Sequence, residues 1–197
     1  METIVLATSN QGKCREIQAI LSPLTINCQP QSEYGIGAVE ETGLSFVENA
    51  LIKARHASKQ SELPAIADDS GLVVPALGGR PGIYSSRYGG ENADDNDNID
   101  KLLSSLVGES RREAYFYCAM AYVRHPADPT PLIACGRWDG RILEVRRGAD
   151  GFGYDPIFYL PVLEKTAAEL GRDEKNHISH RAKALQQLLH MMEYDDD

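Results

Sequence analysis

The run Ala65–Val74, AIADDSGLVV, sets two adjacent carboxylates inside an otherwise apolar stretch. A fold that takes up this run has to place cations or hydrogen-bond donors beside Asp68 and Asp69, because neighbouring like charges repel unless something offsets them. The residues predict an apolar strand, an acidic turn over Asp68-Asp69-Ser70-Gly71, and a second strand. Side chains alternate along a strand, so one acid of the pair faces a given site. Two uses suit the acids: hard oxygen ligands of the kind Mg²⁺ selects, or an Asx turn closing a hairpin. Ser70 and Gly71 add a turn that could bring N–H groups to a ligand.

A second constraint stands at the start of the chain. Ile4–Ala7 reads as a short strand, and Lys13–Leu21 as a helix with Cys14, Ile17, Ile20 and Leu21 at a 3.6-residue period. Between them lie Thr8-Ser9-Asn10-Gln11-Gly12-Lys13. This is not a Walker A loop, which needs Gly where Ala7 stands and Ser or Thr where Cys14 stands. Its parts still suit an anion: a hydroxyl, an amide, helix N-terminal N–H groups and a lysine charge. The competing reading is a capped helix start with a surface lysine.

A short strand is expected around Ile26–Gln29, then a polar loop with Glu40-Glu41, acids that matter to chemistry only if the fold brings them to Asp69. Ser45 and Glu48 form a capping box, and Phe46, Ala50, Ala54 and Ala57 continue one apolar face. Residues 78–92, GGRPGIYSSRYGGEN, read as a long loop, unusual in a compact domain unless it has a task. A helix over Asp94–Leu106 and a strand over Arg112–Val123 follow. Asp139-Gly140, between apolar runs Pro131–Trp138 and Arg141–Val145, signals a hairpin. In Gly151-Phe152-Gly153-Tyr154-Asp155-Pro156 a ring could stack on a nucleobase while backbone groups read its edge; a tight turn with a core Phe and Tyr is the alternative. A final helix is expected over Asn176–Met192, with Lys175, His180 and Arg181 at its start. The helix dipole disfavours cations there, and an anionic ligand would resolve the conflict. Strands and helices mix without strict alternation, so a mixed sheet is expected.

The 197 residues suffice for one sizeable core. A net charge of -9 argues against broad binding to nucleic acid or anionic membrane, but leaves room for a small phosphorylated ligand. The first apolar run is too short for a signal peptide, and no run reaches the length of a membrane span. The four cysteines are scattered without a CxxC and read as small hydrophobes in a reducing compartment, so the expected location is the cytoplasm.

Taken in order, T-x-N-x-x-K, E-E-T-G, A-D-D-S-G-L, G-G-x-P-G-x-Y-S-x-R-Y, G-F-G-Y-D-P and S-H-R make the chain resemble the inosine/xanthosine triphosphate pyrophosphatase family from Thr8 to Arg181. The resemblance implies an α/β fold, an elongated mixed β-sheet flanked by helices with two lobes around a substrate cleft. It implies a single domain over 1–194, with an acidic, disordered tail at 195–197. The implied activity is Mg²⁺-dependent cleavage of ITP, dITP and XTP to the monophosphate and pyrophosphate, by a homodimer. Thr8, Ser9, Asn10, Gln11, Gly12 and Lys13 would hold the triphosphate, and Asp69 would be the general base. Glu40 and Asp69 would bind Mg²⁺, with Glu41 and Asp68 as alternatives. Ser70 would contact substrate. Phe152, Gly153, Tyr154 and Asp155 would form the base pocket, and Lys175, His180 and Arg181 would meet the base edge and phosphates. Ser9 and His177 depart from the family pattern. A pyrophosphatase of modified pyrimidine or methylated nucleotides, or a catalytically silent nucleotide-binding module, are the competing readings.

Overall fold

A computed structural model describes residues 3–21 and 26–195. The first strand, β1 (Thr3–Leu6), is buried from Ile4 onward and leads to α1 (Gln11–Leu21). That helix starts two residues before its expected bound because the Asn10 side chain accepts from Lys13 N–H at 3.1 Å, which caps the first turn. Next come β2 (Asn27–Pro30) and α2 (Phe46–Ser61). Ser45 caps the helix as the sequence predicts, its Oγ accepting from Glu48 N–H, while the Glu48 carboxylate accepts from Ser45 Oγ and Leu44 N–H. Then follow β3 (Ala65–Val73), α3 (Asp95–Ser105), β4 (Glu113–Val123) and β5 (Leu132–Ile142). The chain ends with β6 (Phe158–Leu160), β7 (Lys165–Thr166), α4 (Arg172–Ile178) and α5 (His180–Asp195).

Among the described residues, seven strands make one sheet in the order β2-β1-β3-β4-β5-β6-β7. It is mixed: β1 pairs in parallel with β2 and β3, while β5–β6 and β6–β7 are antiparallel. The chain groups into two compact units. One takes in Met1–Asp69, Cys118–Gly136 and His180–Asp197; the other takes in Ser70–Tyr117 and Arg137–Ser179. The first has two apolar clusters. Ile4, Leu6, Ile17, Leu21, Ile66, Met120, Leu185 and Leu188 make one, and an alanine-rich set with Val5, Ala50, Ala54 and Ala57 makes the other. The second unit is built on Leu72, Ile99, Leu102, Phe116, Trp138, Ile157 and Phe158.

Several expectations fail for identifiable reasons. No turn interrupts Ala65–Val73; β3 runs straight through both acids and Ser70-Gly71. Nor is there a hairpin at Asp139-Gly140, since β5 is continuous to Ile142. Gly140 is a place of close approach: a Cβ there would lie 2.6 Å from the Tyr159 carbonyl oxygen. The 78–92 segment is not loose. Gly82–Arg87 forms a 3-10 helix, and Pro81 bridges antiparallel to Val73. The last helix is split at Ser179, so Lys175 belongs to α4 and only His180 and Arg181 open α5. Asp195 ends α5, and residues 196–197 of the expected acidic tail lie outside the described residues.

Candidate active site

β3 carries Asp68 and Asp69 into the interior of the first unit, where they are 0 % and 5 % exposed. Carboxylates are seldom buried unless partnered, and here the partners come from three helices. Lys13 of α1 reaches Asp68 Oδ2 at 3.1 Å, and Arg181 of α5 donates to the same oxygen from Nε at 3.4 Å. Arg181, 2 % exposed, also donates through Nη1 to Glu16 of α1. Burial alone would raise the Asp68 carboxyl, but the charges of Lys13, Arg181 and Lys53 outweigh it and hold the group far below the usual carboxylate range. Asp68 is therefore a fixed anion at neutral pH, and Arg181 is held more firmly protonated despite its burial.

Asp69 is set differently. Its Oδ2 accepts from Asn49 Nδ2 at 3.1 Å, and its Oδ1 lies 3.4 Å from Lys53 Nζ. Burial pushes the Asp69 carboxyl up; Lys53 and Lys13 pull it down without cancelling the rise, and the Glu41 charge adds to it. The Lys53 ammonium lies 2.8 Å from Glu41 Oε1, so one cation touches both acids. Of the two glutamates expected near Asp69, Glu41 is the one brought in, while Glu40 is exposed on the preceding loop.

Among the described residues, no three His, Cys, Asp or Glu side chains converge as a ready metal cage. The donor chemistry nevertheless fits a hard divalent cation. Glu41 and Asp69 already share the single positive charge of Lys53, and Mg²⁺ is commonly held by one or two carboxylates with water and substrate phosphates.

In the loop before α1, Thr8 Oγ1 accepts from Asn10 N–H at 3.2 Å, while Asn10 caps Lys13 N–H. Thr8 is half-buried; Ser9, Asn10 and Gln11 are exposed, and Gly12 and Lys13 are half-buried. The capped-start reading thus holds for Thr8 and Asn10, and the loop still presents a helix N-terminus and a lysine. His180, 5 % exposed, opens α5, whose first residues lie tight on β5: a Cβ at Gly136 would collide with the His180 carbonyl oxygen. Ser70 is half-buried on the unbroken β3.

The aromatic turn belongs to the second unit. Asp155, 2 % exposed, accepts from Lys175 Nζ at 2.6 Å and from Phe152 N–H at 3.0 Å. Gly151, at φ 83°, has no space for a side chain against that carboxylate. Lys175 Nζ also lies 4.8 Å from the centre of the half-buried Phe152 ring. Gly153 N–H donates to Asp95 Oδ2 at 2.7 Å. Tyr154 is not a stacking platform; its ring is 3 % exposed in the core, and its hydroxyl donates to the Ser85 carbonyl at 2.8 Å. Phe152 is left as the ring suited to stacking on a base. For Arg181 the expected conflict with the helix dipole is met by Glu16 and Asp68; Lys175 falls in the last turn of α4, where the dipole favours a cation, and pairs with Asp155.

Asn49, Lys53 and Glu16 escaped the sequence reading. Asn49 and Lys53 stand four apart on α2, beside the alanine stripe at positions 50, 54 and 57. A polar pair at helical spacing along an apolar face was the available signal.

The family model described as the Ham1 family matches residues 4–191. A dITP/XTP pyrophosphatase of Yersinia pseudotuberculosis is 55 % identical over 191 residues, covering 96 % of this chain and 97 % of the relative. One of Salmonella typhimurium is 54 % identical with the same coverage. Among solved structures, a HAM1 protein from Coxiella burnetii superposes with a TM-score of 0.92 at 51 % identity, over 98 % of this chain and all of that one. The Staphylococcus aureus Ham1 protein gives 0.87 at 42 % identity with the same coverage.

Proposed function

The chain belongs to the Ham1 family, and on that premise we propose that it hydrolyses noncanonical purine nucleoside triphosphates, ITP, dITP and XTP, to the monophosphate and pyrophosphate. The observation that carries the chemistry is the different partnering of the two buried acids: Asp68 is paired with Lys13 and Arg181, while Asp69 faces Asn49 and Lys53. Two carboxylates whose surroundings push them apart divide the work of charge and base.

Asp69 is then the general base for the water that attacks the α-phosphorus. It takes the proton as the new P–O bond forms and the bond to the bridging oxygen of pyrophosphate breaks. Asn49 orients its carboxylate, and Lys53 tempers its basicity. A positioned base supplies about 10²–10⁴ in rate. Lys13, anchored on Asp68, neutralises the departing phosphates. Glu41 and Asp69 would hold Mg²⁺, with Asp68 keeping the neighbouring cations in place; the ion supplies charge neutralisation at the phosphates. Phe152 would stack on the base, with Lys175 beside its ring. A donor facing the 6-oxo group accepts hypoxanthine and xanthine but meets another donor in adenine. We further propose a cytoplasmic homodimer acting on small-molecule nucleotides rather than on nucleic acid or a membrane. Among the described residues, no helix is long and apolar enough to cross a membrane.

The test is to incubate the protein with ITP, XTP, GTP and ATP in Mg²⁺ and to assay pyrophosphate and orthophosphate separately. Pyrophosphate as first product with ITP and XTP well ahead of ATP is expected. Orthophosphate first, or ATP turned over as fast as ITP, overturns the reading.

A further inference from the structure

The motif GGRPGIYSSRY takes no part in the chemistry above, yet one of its residues, Ser85, is a meeting point inside the second unit. Ser85 is 9 % exposed. Its hydroxyl accepts from Leu72 N–H at 2.9 Å and donates to the Gly82 carbonyl at 2.6 Å. Its own carbonyl accepts from the Tyr154 hydroxyl at 2.8 Å.

The strand edge explains why a hydroxyl is needed. β1 pairs with β3 only as far as Ile66, so the later part of that edge of β3 takes its partners from the segment 80–85. Val74 N–H donates to the Arg80 carbonyl, and Pro81 bridges to Val73. At Leu72 the N–H donates to Ser85 Oγ. A buried N–H left without an acceptor is costly, so this bond fixes the 3-10 helix Gly82–Arg87 against the strand. The approach is close: a Cβ at Gly71 would meet Ser85 Oγ at 2.5 Å and collide with the Gly82 carbonyl.

Tyr154 then hangs from this fixed point. Its ring is packed among core residues, and its hydroxyl meets the Ser85 carbonyl across 69 residues of sequence. The neighbouring Phe152 and Gly153 make up the turn assigned to the base. We infer that Ser85 is a positioning residue for base recognition: through two hydroxyl bonds and one carbonyl bond it sets where the Phe152–Tyr154 turn stands relative to the edge of β3. Ser85 touches no substrate in this role; it acts through Tyr154. The inference rests on the proposed function, because it concerns the turn that function assigns to the base.

The experiment compares wild type, Ser85→Ala, Tyr154→Phe and the double variant in steady-state hydrolysis of ITP and GTP, with thermal melting as a control. Each single change is expected to raise KM for ITP by about tenfold, the equivalent of one net hydrogen bond, and to narrow the ITP-over-GTP ratio of kcat/KM, while kcat moves much less. Because the two changes break successive bonds of one chain of contacts, Leu72 to Ser85 and Ser85 to Tyr154, the double variant is expected to lose no more selectivity than the worse single one. A purely structural role would lower the melting temperature and the active fraction, scaling kcat and leaving KM and the ITP-to-GTP ratio in place; that pattern overturns the inference. So do fully additive losses. Tyr154→Phe leaves the Leu72 bond intact, so it decides the matter if Ser85→Ala does not fold. Wild type that releases no pyrophosphate from ITP overturns the proposed function itself, a different failure.

Discussion

Asp68 and Asp69 are consecutive on β3, and their surroundings drive them in opposite directions: three cations hold the first down, and burial lifts the second. Alternation along the strand sends one carboxylate toward Lys13 and Arg181 and the other toward Lys53 and Asn49.

Asp69→Asn removes the base and keeps the shape. The variant is expected to melt close to wild type and to lose about 10²–10⁴ in kcat for ITP. Pyrophosphate release, measured alongside a melting curve, checks this. Activity near wild type would move the base elsewhere.

Asp68→Asn is expected to be the more damaging change for stability. It strips one counter-charge from Lys13 and from the buried Arg181, which keeps Glu16 as its partner, and removing one partner of a buried ion pair costs up to about 3–5 kcal/mol. Urea unfolding at pH 7 measures it. The sign with pH follows from the lowered value: Asp68 stabilises the fold above its ordinary 3.8 and loses that contribution as pH falls through its depressed folded value. Wild-type stability should therefore drop on that acid limb more steeply than that of Asp68→Asn.

Lys53→Met tests the coupling to the base. Lys53 is the largest influence lowering Asp69 against its burial. Without it the Asp69 carboxyl rises further, so the acid limb of kcat/KM for ITP should move to higher pH than in wild type. A pH–rate profile from pH 4 to 9 reads this directly. An unmoved limb would show that Lys53 does not act on the titrating group.

Removing divalent metal with a chelator is expected to abolish turnover, and added Mg²⁺ to restore it. Glu41→Gln should raise the Mg²⁺ concentration for half-maximal rate, whereas Glu40→Gln should not, because only Glu41 reaches Lys53 beside Asp69. Titrations of rate against Mg²⁺ for both variants separate the two acids.

What the sequence made legible was local. The Ser45 cap, the strand before α1 and the amphipathic stripe of α2 depend on residues within a turn of one another, and they stand as expected. The misread places depend on distant neighbours. Asp139-Gly140 carries a hairpin signal, but the glycine serves the approach of Tyr159. Asp68-Asp69-Ser70-Gly71 carries a turn signal, but cations from α1, α2 and α5 let the acids stay in a straight strand. The pairing of Arg181 with Asp68 spans 113 residues and leaves no local signal. Asn49 and Lys53 were missed because their partner lies 20 and 16 residues away.

Three strands, β3, β4 and β5, begin in one compact unit and end in the other. A domain joined to its neighbour by a linker can melt alone; here each of these three chain crossings lies inside a strand. A cut at 69/70, 117/118 or 136/137 would sever β3, β4 or β5, one strand per cut. The expected consequence is a single calorimetric transition whose van't Hoff and measured enthalpies agree.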